Sequence, residues 1–157
     1  MRPVSLVLLF LAASLPTWVA ANPMVGSWKC IPAHFTNQLY PRQELHLTYN
    51  EGQRFEGEIL LRKPHDDRTF TYVLAVTGRW QYRGGTLKHF DSQTRIVRVL
   101  HGREDISDSA WAQEILNDPA RGQFDQEFNT RTSGYRKLKM IGVDTDLTCH
   151  RNTPENG

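Results

Sequence analysis

The sequence predicts an all-β chain: an antiparallel up-and-down barrel of about eight strands, with one short helix inserted between the fifth and sixth. Three observations carry this. Period-two alternation of apolar and polar residues recurs along the chain, turn residues separate the alternating runs, and two cysteines lie near its two ends. Trp28 stands two positions before Cys30, and Arg151 two after Cys149. The two pairs share one positional sum, so a single antiparallel register sets Cys opposite Cys and Trp opposite Arg. A sheet whose first and last strands pair in this way is closed by its own ends.

The chain opens with Arg2, an apolar run from Val4 to Ala13, and Val19-Ala20-Ala21 with small residues at the last and third-last places. This is the pattern of a secretory signal peptide over residues 1–21, cleaved after Ala21. The run is shorter than the roughly 20 apolar residues a spanning helix needs, and Pro16 interrupts it, so no stable membrane insertion is expected. Residues 22–157 then form a single domain. Cys30 lies well inside that domain, so the export signal is not of the lipid-modified kind. The expected destination is the bacterial periplasm or the exterior.

Met24 to Ile31 reads as the opening strand. Leu45, Leu47 and Tyr49 alternate with Glu44, His46 and Thr48 to give the second, and Phe55, Gly57, Ile59 and Leu61 give the third against Arg54, Glu56, Glu58 and Arg62. The longest run goes from Phe70 to Tyr82, where Phe70, Tyr72, Leu74, Val76, Gly78, Trp80 and Tyr82 share one face. Asn50-Glu51-Gly52 and Lys63-Pro64-His65-Asp66-Asp67 supply the first two turns, and Gly84-Gly85 supplies the positive φ that a two-residue hairpin demands. The fifth strand, Thr86 to Leu100, loses its alternation near Asp91-Ser92-Gln93, which predicts a bulge.

The period then changes. Ser107 or Asp105 caps a helix in which Trp111 and Ile115, and Ala112 and Leu116, stack four apart until Asn117-Asp118-Pro119 ends it. Three shorter strands follow near Gln123 to Thr130, Tyr135 to Ile141 and Asp146 to His150, with a frayed tail from Asn152. Closure removes the edges that such long strands would otherwise present. A barrel of this size is either filled by its own side chains or holds one small ligand, and the aromatic inward face suits both.

With two cysteines and an oxidising destination, a Cys30–Cys149 bridge is the first expectation, against free thiols or a link to a partner chain. Over so long a loop the bridge is worth about 4 to 5 kcal/mol in the chain-entropy model. The whole chain carries a net charge of +2, and loss of Arg2 brings it to +1, which gives no bulk attraction to nucleic acid. The charge is unevenly spread. Arg79 to Arg103 holds six basic residues against Asp91 alone, and Glu104 to Glu127 holds seven acids against Arg121 alone. These are either two solvated faces or a polar surface for a partner.

Gly26-Ser27-Trp28 on the first strand, with Arg151 at the end of the last, resembles the signature of the lipocalin and calycin barrels. The resemblance implies a Trp that closes one end of the barrel and a basic residue packed across it, a cation–π contact worth about 0.5 to 2 kcal/mol. The same tripeptide pattern recurs at Gly78-Arg79-Trp80. Three features depart from the common lipocalin pattern: the helix precedes the last three strands, the bridge joins first strand to last, and the usual basic loop motif is missing. The start Gly-x-Trp-x-Cys and the end Cys-x-Arg are similar to those of small bacterial exported proteins.

No catalytic signature appears, neither a G-x-S-x-G elbow nor a free nucleophilic cysteine, so the chain reads as a binding protein rather than an enzyme. His34, His46, His65, His89, His101 and His150 lie in separate segments without ligand spacing, and His65-Asp66-Asp67 is ordinary turn chemistry before it is a cation site. No cofactor is implied. Glu56 and Glu58 sit on the polar face of their strand. Two readings of function follow. In the first, the barrel holds a small apolar or amphipathic ligand lined by Phe55, Tyr72, Leu74 and Trp80. In the second, the barrel is plugged and serves as a protein-binding module, an inhibitor or immunity-type factor. Trp111 is an anchor of the helix, a lid over the mouth, or a docking residue.

Overall fold

The computed structural model describes residues 22–33, 43–117, 122, 124–143 and 145–152. Eight long antiparallel strands close into a barrel-like ring: β1 (Gly26–Pro32), β2 (Gln43–Tyr49), β3 (Arg54–His65), β4 (Arg68–Arg83), β5 (Thr86–His101), β7 (Glu127–Ser133), β8 (Lys137–Ile141) and β9 (Asp146–Arg151). A two-residue strand, β6 (Glu104–Asp105), pairs back on β5, and helix α1 (Ala110–Leu116) lies between β6 and β7. The expected helix position and all-β antiparallel class stand. The expected signal peptide, the Asp118-Pro119 stop and the tail beyond Asn152 lie outside the described residues.

The ring closes where the two cysteines place it. β1 and β9 run antiparallel with Trp28 opposite Arg151 and Cys30 opposite Cys149, and the cysteines are joined as a disulfide. Every other neighbour pair follows chain order except β5–β7, whose ladder of three residue pairs, Thr86 to Lys88 against Asn129 to Glu127, is extended by the His89 N–H to the Gln126 carbonyl and by a bridge between Thr94 and Gly122. The ring is therefore most continuous at the end where the β4–β5 hairpin turns on Gly84 and Gly85, both at positive φ. We call this end the base. At the other end, the mouth, β3, β4 and β5 project past their neighbours, and α1 packs on β5 there.

One face of each strand fills the interior. Trp28, Tyr49, Phe55, Trp80, Leu87, Phe128, Leu138 and Met140 are each essentially inaccessible to solvent. β2 and β3 approach so closely at Gly57 that a methyl group there would collide with the main-chain carbonyl of His46, which is why a glycine occupies this place on an otherwise apolar face. The break expected at Asp91 is present: the β4–β5 register shifts between Thr77 and Arg79, and Asp91 adopts φ 52°. A second shift, between Val73 and Leu74, leaves Val97 without a partner in the middle of an unbroken β-branched run.

Several boundaries differ from the sequence expectation, among them the β3–β4 turn, where Lys63, Pro64 and His65 pair with Phe70, Thr69 and Arg68 as strand and leave only Asp66-Asp67 as the turn. The helix is capped by Ser109, whose Oγ accepts from the Ala112 N–H at 3.2 Å, and not by Ser107 or Asp105. The reason is that the Ser107 hydroxyl is already used. It accepts from the Val99 N–H at 3.0 Å and donates to Asp105, pinning this turn to β5 and delaying the helix by one residue pair. The polar strand after the helix runs Glu127–Ser133, later than expected, because Asp125 and Phe124 are tied to the β5 bulge by their contacts with Ser92.

Candidate functional site

The interior divides into two regions along the same strand faces. At the base, Tyr49, Phe55, Trp80, His89 and Phe128 form one aromatic packing unit. His89 lies 4.5 Å from the Phe55 ring centroid in a stacked arrangement, and Tyr49 meets Trp80 edge-on at 5.5 Å. Tyr49 and His89 share a 2.8 Å hydrogen bond between the phenol oxygen and Nε2. His89 is 1 % exposed, and its Nδ1 has no hydrogen-bond partner among the described residues. Burial disfavours the imidazolium and pushes its pKa down to about 4, against a smaller opposing pull from Asp125. Burial likewise raises the Tyr49 phenol far above its ordinary value.

Below this unit the base is sealed by Trp28 and Arg151. The Trp28 indole N–H donates to the Met24 carbonyl at 2.9 Å, and the Arg151 guanidinium stands 4.4 Å from the ring centroid. All three guanidinium nitrogens also donate to main-chain carbonyls: Nε to Tyr135 at 2.9 Å, Nη1 to Val25 at 2.6 Å and Nη2 to Pro23 at 2.7 Å. Gly26, at φ 125°, leaves the space that Nη1 occupies. One arginine thus ties the N-terminal segment, the first strand and the β7–β8 hairpin together.

Toward the mouth the inward faces stay apolar but lose their cover. Leu61 of β3, Tyr72 and Leu74 of β4 and Ile96 of β5 keep the inward register of Phe55, Val76 and Thr94, and all four are only half-buried. Leu61 and Leu74 pack against the base region. Tyr72 and Ile96 pack against a second cluster built by Phe70, Val99 and Ala112 of the helix. The Trp111 ring sits 4.7 Å from Phe70 and 5.5 Å from His65, so it fastens the helix to the projecting β3–β4 ends.

The four candidate lining residues therefore separate. Phe55 (1 % exposed) and Trp80 (2 %) are inside the packed base, the indole N–H of Trp80 donating to the Arg54 carbonyl; Tyr72 and Leu74 border the mouth. Sequence reasoning did not single out His89, although its place two residues after Leu87 puts it on the inward face of β5. Glu44 was not singled out either. It links Lys29 at 2.7 Å and His46 at 2.6 Å across the outer sheet, and the Lys29 contact holds its carboxyl below the usual range. The basic hairpin is answered partly from outside the acidic segment, Arg98 by Glu58 at 3.0 Å and Arg79 by Asp91 at 3.9 Å. Among the described residues, no group of three or more His, Cys, Asp or Glu is placed to hold a metal ion, and no helix is long and apolar enough to cross a membrane.

Fold and site together define a disulfide-closed antiparallel β-ring with a filled base and a helix beside its mouth. No protein-family model matches the chain, and none of the curated proteins compared with it is similar in sequence.

Proposed function

We propose that this chain is exported by a cleaved signal peptide and acts as a lipocalin-like carrier that holds a small apolar or amphipathic ligand in the mouth half of the ring. The carrying observation is the row of inward-facing, half-buried apolar side chains, Leu61, Tyr72, Leu74 and Ile96, between the packed base and the helix cluster. Apolar surface that faces the axis of a closed ring and is only partly covered by protein is stabilised by an apolar guest. The Tyr72 hydroxyl supplies a polar handle, which suits a ligand with one polar end. The disulfide and the Trp28–Arg151 seal are consistent with a scaffold that must stay closed outside the cell.

The test is titration of the purified oxidised protein with N-phenyl-1-naphthylamine, an apolar fluorophore, followed by displacement with fatty acids of increasing chain length. Saturable binding is expected, weakened at least about ten-fold by Leu74→Asp, since a carboxylate on the mouth face opposes an apolar guest. Absence of saturable binding, or binding unchanged in Leu74→Asp, overturns the reading and favours the plugged protein-binding module. The filled base supports that second reading, because this end of the ring already holds its own side chains.

A further inference from the structure

The base of the ring carries a second recess, on the outside of the seal. A cleft of about 890 Å³ opens between the N-terminal segment Asn22–Val25, the β2–β3 turn, the end of β4 and the β7–β8 hairpin. Its lining includes Tyr82 and Tyr135, Gln53 and Gln81, and the charged residues Glu51 and Arg83. The volume lies within the roughly 300–1,000 Å³ that small-molecule sites occupy.

Two wall elements are held rigid although they are exposed. Tyr135 is 66 % exposed, one of few large apolar side chains so displayed among the described residues, yet it is fixed at both ends. Arg136 Nε donates to its phenol oxygen at 2.6 Å with the guanidinium 5.0 Å from the ring, and Arg151 holds its main-chain carbonyl. The β2–β3 turn is equally constrained. Gln53 stands in the left-handed region at φ 59°, an unfavourable place for a residue that is neither Gly nor Asn. It is kept there by its N–H to the Asn50 carbonyl (3.2 Å) and its carbonyl from the Trp80 N–H (2.9 Å), while Asn50 Oδ1 accepts from the Arg54 N–H (3.0 Å). Exposed groups immobilised before any guest arrives lower the ordering cost of binding, and backbone strain maintained by surrounding bonds clusters at functional places.

The composition of the walls selects the guest. A purely apolar molecule would strip water from Gln53, Gln81, Glu51 and Arg83 without replacing it. A polyanion meets Glu51, and of the two arginines lining the cleft Arg151 already donates to three carbonyls, which leaves Arg83 alone to face it. A neutral saccharide matches: its C–H faces lie on tyrosine rings, and its hydroxyls pair with amides, a carboxylate and a guanidinium at once. We propose that the base cleft is a binding site for a neutral saccharide chain, with Tyr135 as the stacking platform and Gln53 and Gln81 as the hydroxyl-reading amides. The site lies at the opposite end from the mouth and does not depend on the mouth reading.

The experiment is ligand-observed NMR and calorimetry of the oxidised protein with three neutral probes, maltotriose, cellotriose and triacetylchitotriose. At least one is expected to bind saturably. Tyr135→Ala and Gln81→Ala each weaken that binding at least about ten-fold, with thermal melting unchanged because both side chains are exposed, and Leu74→Asp at the mouth leaves it unaltered. No binding of any probe, or binding that survives both base substitutions, overturns the proposal. A sulfated oligosaccharide that binds in place of the neutral probes and is released by salt also overturns it, in favour of an anion site.

Discussion

Arg151→Ala is expected to open the base. Three charge-assisted hydrogen bonds to main-chain carbonyls are lost with the substitution, together with the contact over Trp28. A hydrogen bond of this kind is worth about 1.5 kcal/mol net at the low end, and a partly exposed cation–π contact about 0.5 to 1 kcal/mol, giving about 5 to 5.5 kcal/mol before solvent is counted. Arg151 is only half-buried, so water recovers part of this by solvating the freed carbonyls, and the expected loss is about 2 to 3 kcal/mol. Arg151→Lys keeps a cation but replaces the planar fork by a single ammonium, which cannot reach three carbonyls, and falls between the two. The assay is urea unfolding followed by circular dichroism, with tryptophan fluorescence as a second probe. The midpoint falls while the slope with denaturant is unchanged, and native emission shifts as Trp28 loses its cover. A loss of less than about 0.5 kcal/mol in Arg151→Ala, within the ordinary range for surface changes, would refute the clamp.

The Cys30→Ala, Cys149→Ala double variant loses the constraint on a loop of 119 positions, worth about 5 kcal/mol by loop entropy, and its urea midpoint drops accordingly under oxidising conditions; equal midpoints for variant and parent would remove the bridge from the account. His89 gives a pH signature. Its folded pKa of about 4 lies below the ordinary 6.5, so the unfolded chain binds the extra proton between these values and stability falls as pH drops from about 6.5 toward 4. The full fall is about 3 kcal/mol, and it is absent in His89→Gln; a parallel pH profile for the two proteins speaks against a buried neutral imidazole. Asp125 acts lower on the scale. Its hydrogen bonds from Ser92 depress its pKa, so its contribution is present above the ordinary carboxyl value and lost as pH falls through the lowered one. Gly57→Ala drives a methyl into the His46 carbonyl and costs about 3 kcal/mol in thermal or urea unfolding; a neutral outcome shows that β2 and β3 can separate locally.

The ring closure was legible because it depends on register, and register is arithmetic: two residue pairs with one positional sum leave one antiparallel pairing that satisfies both. The long strands were legible for a similar reason, since every second residue from Phe70 to Tyr82 is apolar or Gly, although Val73 and Ala75 make the opposite face apolar near the middle and Val73 is buried there. Position along the axis was not. Phe55 and Tyr72 look alike as inward aromatics, yet one is packed in the base and the other borders the mouth, because only the lengths of neighbouring strands decide which end is covered. The Val97 bulge left no trace in a β-branched run that fits a straight strand equally well. The helix start was misplaced because two serines offered the same chemistry, and a tertiary bond from Val99 had claimed the first. Nothing in the composition indicated that Arg151 would spend all three of its nitrogens on carbonyls.

The distribution of constraints along the axis bears on how such a ring would work. At the base, the disulfide, the Arg151 fork, the aromatic unit around His89 and the Gly84-Gly85 hairpin all act within a few strand positions of one another. Among the described residues, the mouth is held by a seven-residue helix with one buried residue, the Trp111–Phe70 contact and a two-residue strand. Local opening free energies follow this density of buried apolar contact, so the mouth opens far more often than the whole domain unfolds. On the proposed carrier reading, a guest held at the mouth would exchange without disturbing the seal. On that reading the disulfide would serve retention as well as stability, since it pins the ring at β1–β9 when the helix moves.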